Sequence, residues 1–470
     1  VRRIVVLIAA ITGFGLRAIY LLAHPPALLS GTDNMWYTTV AHSIASGHLG
    51  RIPAVSGGRV WSFQFPPAYP IALAIGQRLL FWLHPTRADL WTSAALGGAT
   101  AAAVAALAWR IADRASPRAR TVVAAAAGLL VALNPLLAGA SVSLMSEALV
   151  PLAVTLALLF MDRLLAGPAT LRDAVVLGLL VALSGLTRSE ALLITAAAVV
   201  GAAVVARTRG LTMRPFGIAL GVAFAIALAW STFASIEGSG VIVMSAQSGS
   251  LLRGANCRLA LHGDRKGSWD IDCLAGADRE MSRATRRAFA ASAAAALENL
   301  VVLAPAAGPR AEAEFNHAQA RLALRDIRRQ PVAVATSVPY RIGRALGLYW
   351  SNVDLAHIPF EGRAASWERV GRWFHLILVM PLALVGVWAS CRRRGRAAAR
   401  LRGVADRGRV VPSLVLLATW LVVIAATYGT ARFRASVDPS LVLLAGLGVA
   451  VVGGSSLVGS GDTPADVATS

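Results

Sequence analysis

Tyr69-Pro70-Ile71-Ala72-Leu73-Ala74-Ile75-Gly76-Gln77-Arg78-Leu79-Leu80-Phe81-Trp82-Leu83 is apolar enough to be taken for a membrane span, and the fold turns on whether it is one. Ten other segments are long and apolar enough to cross about 30 Å of hydrocarbon as helices. They fall near 4–24, 89–109, 121–138, 148–166, 174–187, 190–206, 216–235, 373–390, 410–429 and 438–457. Counting 69–83 as an eleventh would reverse every later loop. The arginine-dense run 392–409 would then face outwards, against the rule that basic residues stay on the cytoplasmic side. The stretch is therefore read as interfacial or re-entrant.

With that choice the charge bias becomes consistent. The segments placed inside hold 19 basic residues, and the short outer loops hold 7. Arg17, within the first span, is expected to snorkel outwards, and 18 more lie in one long outer loop that the rule counts poorly. Both termini are expected inside. The first span has no Ala-x-Ala site and reads as a retained anchor. The chain has 470 residues, 56% of them hydrophobic and 15% charged, with a mean hydropathy of +0.63. That composition excludes a disordered chain and gives an all-α polytopic membrane protein. The net charge of +21 does not argue for nucleic acid, because it follows the loops and is almost all arginine, Lys266 being the one lysine.

Three regions follow. Residues 1–235 form a transmembrane module with a first outer loop, 24–88, in which Trp36–Ala45 and Tyr69–Leu83 are expected as interfacial helices. Residues 236–372 form a larger outer region before the eighth span. It carries Cys257, Cys273 and Trp269, then helical patterns over Glu280–Leu300 and Arg310–Gln330, and a basic, aromatic-tipped surface helix over Val332–Trp350. Residues 373–470 hold the last spans and a tail. An oxidising outer compartment would let Cys257 and Cys273 pair, while Cys391 sits among inner arginines as a free thiol. No phosphate-cradling glycine loop or dinucleotide fingerprint opens a βαβ unit.

Polar residues gather at the outer turns. The first loop offers Gly31-Thr32-Asp33-Asn34-Met35-Trp36-Tyr37 and Phe63-Gln64-Phe65-Pro66-Pro67-Ala68-Tyr69-Pro70. Later turns read Asn134-Pro135 to Ser146-Glu147, Leu186-Thr187-Arg188-Ser189-Glu190, and Tyr428 to Pro439 with Arg432 and Arg434. Ionisable groups beside apolar helices are costly without partners. Moving a sugar off a lipid phosphate needs a base for the acceptor hydroxyl and positive charge at the departing phosphate. Plainer readings stand beside this one. Asp33 could cap the helix that follows, Glu147 could sit at a helix start, and Arg188 with Glu190 could be a local ion pair. Arg432 and Arg434 could snorkel, and His24, His42 and His48 could be solvated rather than metal-binding.

In these stretches and their order between spans the whole chain resembles the GT-C superfamily of polytopic glycosyltransferases. The nearest branch holds dolichyl-phosphate-mannose protein mannosyltransferases and bacterial lipid A aminoarabinose transferases. The resemblance implies a GT-C-like bundle of about ten transmembrane helices. It further implies an inverting transferase that moves one sugar from a polyprenyl-phosphate donor to an extracytoplasmic acceptor (protein, lipid or cell-wall glycan). On that resemblance Asp33 is the first-loop acid, a general base or metal-associated group, and Glu147 the second acid. Arg188, Arg432 and Arg434 are basic positions near the lipid phosphate, with Tyr37 and Tyr69 as substrate contacts. The chain departs from the pattern in two places: Asn34 stands where a second acid often follows, and Gln64-Phe65 stand where the aminoarabinose transferases carry Glu-Lys. Arg59 or Arg51 could supply the lysine's charge. No cofactor is required by these residues, and a divalent cation remains an open addition. The Cys257–Cys273 segment with Trp269 is similar to actinobacterial members. The expected place is the bacterial cytoplasmic membrane, multi-pass, with the site facing outside and the lipid bilayer as partner. A lipid-linked sugar flippase or small-solute transporter is the alternative, although no internal repeat is evident. A non-catalytic scaffold would leave the outer acids and arginines without a shared purpose.

Overall fold

The computed structural model describes residues 1–24, 33–54, 57–275, 280–288, 290, 307–350, 362–392 and 394–453. It is a helical bundle whose described strands form one two-stranded antiparallel ladder, Ile52 opposite Val60 and Pro53 opposite Arg59. The first half comprises α1 (Arg2–Ala23), α2 (Asp33–Ala45), α3 (Ala68–Leu79), α4 (Pro85–Ile111), α5 (Pro117–Ala132), α6 (Pro135–Val142), α7 (Val150–Ala166), α8 (Leu171–Thr187), α9 (Ser189–Thr208) and α10 (Arg214–Glu237). Three further apolar helices follow, Ala365–Cys391, Arg407–Ala426 and Asp438–Gly453.

Every expected span has a helix at its place, but length separates them. Seven helices among the described residues are long and apolar enough to cross a membrane, or eight if the bent pair α5 and α6 is one span. The chain is a multi-pass membrane protein. α8, with 17 residues, and Asp438–Gly453, with 16 described, are shorter than the rest. The 51° bend between α5 and α6 lies at Asn134-Pro135. Pro135 cannot continue the ladder of α5, and the Asn134 side chain accepts from the Leu136 amide at 3.0 Å, starting a new helix. Residues 454–457 of the expected last span lie outside the described residues.

The stretch 69–83 does not span. α3 has 12 residues, about 18 Å of helix, well short of the hydrocarbon thickness. Ile71, Ile75 and Leu79 are exposed along one side of it, the stripe an interfacial helix turns to lipid, and Phe81 and Trp82 are exposed in the turn that follows. Arg17 corrects an expectation. It does not snorkel: it is buried, with Nη1 donating to the Gly13 carbonyl at 2.8 Å and Nε to Ser141 Oγ at 3.2 Å. Gly97 makes the room, since a Cβ there would lie 1.8 Å from Arg17 Nε. Once both partners are supplied inside the bundle, reaching for headgroups gains nothing.

Beyond α10 the chain forms α11 (Ser248–Asn256), a short turn closed by the Cys257–Cys273 disulfide, and helices Pro309–Arg329 and Pro331–Leu346. Of the expected helix Glu280–Leu300, residues 289 and 291–300 lie outside the described residues. The helix expected over Val332–Trp350 forms as Pro331–Leu346, and two of its arginines turn into the protein. Arg341 donates to Ala425 O at 2.9 Å and Asn256 Oδ1 at 2.9 Å, and Arg344 donates to Lys266 O at 2.9 Å. Their spacing looked basic and amphipathic, but both side chains end on carbonyl or amide oxygens of the disulfide-closed segment and its neighbours.

The end of the bundle opposite Asp33 is held by charge. Asp162, on α7 and buried, accepts from Arg110 Nε at 2.6 Å and Arg409 Nε at 2.5 Å. Arg409 also pairs with Asp113, and Asp406 receives Arg209 at 2.5 Å and Arg114 at 3.2 Å. One network thus joins α4, α7, α9 and Arg407–Ala426. Asp162→Asn leaves two inward arginines short of a counter-charge and is expected to cost about 3 kcal/mol of stability. Arg163→Gln, which removes an exposed pair with Asp173, is expected to cost less than about 1 kcal/mol. Thermal unfolding of the two variants in detergent, compared with wild type, checks the contrast; equal shifts would refute it.

Candidate active site

Glu147 lies on the 3-10 turn Ser146–Ala148 that leads into α7, and it is 1% exposed. Its Oε1 accepts from Arg188 Nη1 at 2.6 Å and from Arg432 Nε at 2.7 Å. Arg432 then reaches Asp33, the first described residue of α2, with Nη2 3.0 Å from Oδ2. Arg188 sits in the extended link between α8 and α9, and its Nε donates to Glu190 Oε1 at 2.5 Å. Four segments far apart in sequence therefore meet: the first loop, the turn before α7, the α8–α9 link and the 3-10 turn Ala431–Ser436. Each supplies its charged side chain at a helix end, where the backbone bends out of the apolar interior.

The surroundings are aromatic. The Arg188 guanidinium lies 4.7 Å over the Phe433 ring. Tyr37 stacks on Phe65 at 5.1 Å and meets Tyr69 edge-on at 5.1 Å. The Tyr69 hydroxyl shares a hydrogen bond of 2.7 Å with Ser93. Burial, then the charge of Asp33, hold the Tyr37 hydroxyl above its ordinary value, against the pull of a Ser146 hydrogen bond. Tyr37 therefore stays protonated beside the acids. The two acids differ in access: the Asp33 side chain is 31% exposed, that of Glu147 1%. Asp33 is open to a substrate, whereas Glu147 is enclosed between guanidinium groups.

Of the residues proposed from sequence, Asp33, Glu147, Arg188 and Arg432 come together, with Tyr37 and Tyr69 alongside. Arg434 does not join them. Two residues on along a 3-10 turn it points elsewhere, is buried, and gives its Nε to Asp438 at 2.8 Å. Arg59 is on the small ladder, exposed, with its guanidinium on the Arg51 carbonyl at 3.2 Å. Arg51 lies over Trp61 at 5.2 Å. Ser146 was passed over in the sequence, yet its hydroxyl lies 3.4 Å from Arg188 Nη1 and 3.5 Å from Glu147 Oε2. Its only sequence signal is its place next to Glu147.

A divalent cation was the open question. Among the described residues no group of three or more His, Cys, Asp or Glu side chains converges to hold one. Asp33 and Glu147 both face Arg432, at 3.0 and 2.7 Å.

Removing the shared carboxylate should be far more damaging than neutralising the exposed one. Glu147→Gln leaves Arg188 and Arg432 buried without their common counter-charge, an expected loss of about 3–5 kcal/mol. Asp33→Asn breaks one part-exposed pair and should cost no more than about 1 kcal/mol. Unfolding midpoints in detergent test this, and a Glu147→Gln protein as stable as Asp33→Asn would contradict it.

No protein-family model matches the sequence, and no curated protein matches it. Solved structures do. The oligosaccharyltransferase AglB from Archaeoglobus fulgidus, in complex with an inhibitory peptide and a dolichol-phosphate, superimposes with a TM-score of 0.52 at 15% identity. That match covers 96% of this chain and 50% of AglB. The Archaeoglobus fulgidus oligosaccharyltransferase with Zn and sulfate gives a TM-score of 0.51 at 13% identity, over 95% of this chain and 49% of that one. ArnT from Cupriavidus metallidurans, bound to undecaprenyl phosphate, gives 0.35 at 16% identity over 96% and 77%. The chain spans about half the length of the oligosaccharyltransferase that it matches. At these identities the likeness concerns architecture alone: the chain shares the helical fold of the archaeal oligosaccharyltransferase.

Proposed function

We propose that the chain is an inverting glycosyltransferase that moves a single sugar from a polyprenyl-phosphate donor to an acceptor on the outer face of a bacterial cytoplasmic membrane. The observation that carries the reading is the meeting of Asp33, Glu147, Arg188 and Arg432 at one end of a membrane bundle. A GT-C fold supports a lipid-linked donor in general; the single sugar, the polyprenyl carrier and the acceptor are the finer proposal.

In this reading Asp33, the more open acid, takes the proton of the acceptor hydroxyl. The acceptor oxygen attacks the anomeric carbon from the side opposite the phosphate. The carbon–oxygen bond to the phosphate breaks, and its electron pair leaves on the polyprenyl phosphate. Arg432 is the cation able to turn from Asp33 towards that phosphate, because a guanidinium fork fits phosphate oxygens as well as carboxylates. As it turns, Asp33 is relieved of a counter-charge and becomes a better base. Glu147 keeps Arg432 and Arg188 in place throughout. Arg434, paired with Asp438, takes no part in the step.

Purified protein supplied with a labelled polyprenyl-phosphate sugar and a cell-envelope acceptor fraction tests the reading. Asp33→Asn is expected to lower turnover at least about 100-fold while still binding polyprenyl phosphate. Unchanged turnover in that variant would remove Asp33 from the chemistry. Movement of the labelled lipid across a vesicle membrane without transfer would instead support a lipid-linked sugar flippase.

A further inference from the structure

Glu312 is 3% exposed and lies on the helix Pro309–Arg329, some 250 residues from the loop it touches. Its Oε1 accepts the Ser62 hydroxyl at 2.6 Å and its Oε2 accepts the Phe63 amide at 2.8 Å. The Ser62 oxygen in turn accepts the indole N–H of Trp36 at 2.7 Å. Trp36 is three residues after Asp33 on α2, hence on the same side of that helix. The segment is fixed from its other side as well: the Phe63 carbonyl accepts from Ala246 N at 2.7 Å, and the Phe63 ring packs on Trp230 and Phe233 of α10, each at 5.6 Å.

A buried carboxylate without a cation is an expensive way to hold two segments together, and apolar packing alone would do it at lower cost. What the carboxylate adds is direction. Two acceptor oxygens on one rigid group meet two donors of known geometry, and the Ser62 hydroxyl hands the constraint on to the Trp36 indole. We propose that Glu312 is a positioning residue: through Ser62 and Trp36 it sets the helix that begins at Asp33, so the region beyond α10 governs where the Asp33 carboxylate stands.

Burial pushes the Glu312 carboxyl up to about 7, against the Ser62 and Phe63 hydrogen bonds, and among the described residues no charged side chain of its own helix, the first loop, α10 or α11 adds to this. Its ionised form accepts from both donors. Protonated, or replaced by Gln, it must present a donor to one of them.

Hydrogen exchange of the full chain in detergent micelles at fixed pH tests the tie without reference to any activity. In Glu312→Gln, amides in both 57–65 and 33–45 are expected to exchange faster, by about fivefold, while 85–111 is unchanged. Ser62→Ala, which removes the relay but leaves the carboxylate, should affect 33–45 in the same direction. Unaltered exchange at 33–45 in both variants would overturn the proposal. A second arm rests on the transferase reading. There Glu312→Gln is expected to lower kcat about tenfold with donor KM within about twofold. The ratio of wild-type to variant rate should grow from pH 6 to pH 8, as the native carboxyl ionises. Faster exchange with unchanged kcat would overturn the positioning role. Faster exchange in a wild-type background that transfers nothing would leave the tie standing and refute the transferase reading alone.

Discussion

One buried carboxylate organises the Asp33 end of this protein. Glu147 accepts two arginines on a single oxygen, and those arginines come from the α8–α9 link and from the turn after Arg407–Ala426. Charge in an apolar bundle is tolerated only with partners. The requirement runs in both directions: Glu147 is the fully buried counter-charge the two arginines share, and they are the cations that let it be buried. Their helix ends are therefore drawn to one point, and Arg432, held there, extends to Asp33. A separate network around Asp162 performs the same task at the other end of the bundle. Between the two, helices pack through small residues. A Cβ on Gly386 would lie 2.1 Å from the Leu444 carbonyl, and one on Gly448 2.1 Å from that of Leu382.

The sequence carried the bundle well, because long apolar segments are a direct record of membrane insertion. It also marked the helix ends where charged residues gather. It could not say which residues of a gathering would meet. Arg432 and Arg434 are two apart in one turn and chemically identical, yet only the local 3-10 geometry decides that the former faces Glu147 and the latter Asp438. Arg17 was read as reaching outwards because an isolated arginine in a span has no visible partner in its neighbourhood. Its partners are a carbonyl one turn away and a serine 124 residues on. Glu312 was hidden for the opposite reason: in a helix with five arginines and two other acids, one buried acid looks like surface.

The region beyond α10 reads differently once its contacts are known. Several of its charged side chains turn inwards, with Arg341 and Arg344 on oxygens of the disulfide-closed segment and Glu312 on the first loop. It is a brace for the loop that carries Asp33 as much as a surface of its own. That places two distant parts of the chain under a common mechanical constraint.

α8 carries one further consequence. Its 17 residues make a rod of about 26 Å, against hydrocarbon of about 30 Å, and Leu171 and Leu179 on it are exposed. The rod ends at Arg188. A bilayer beside a helix that short must thin locally or let the helix end sit below its headgroups. If that adjustment falls at the Arg188 end, the Arg188–Glu147 pair lies deeper than the surrounding lipid phosphates while remaining at a helix terminus. On the transferase reading, a lipid head drawn into such a dip would reach Arg432 and Asp33 with its tail still in the bilayer.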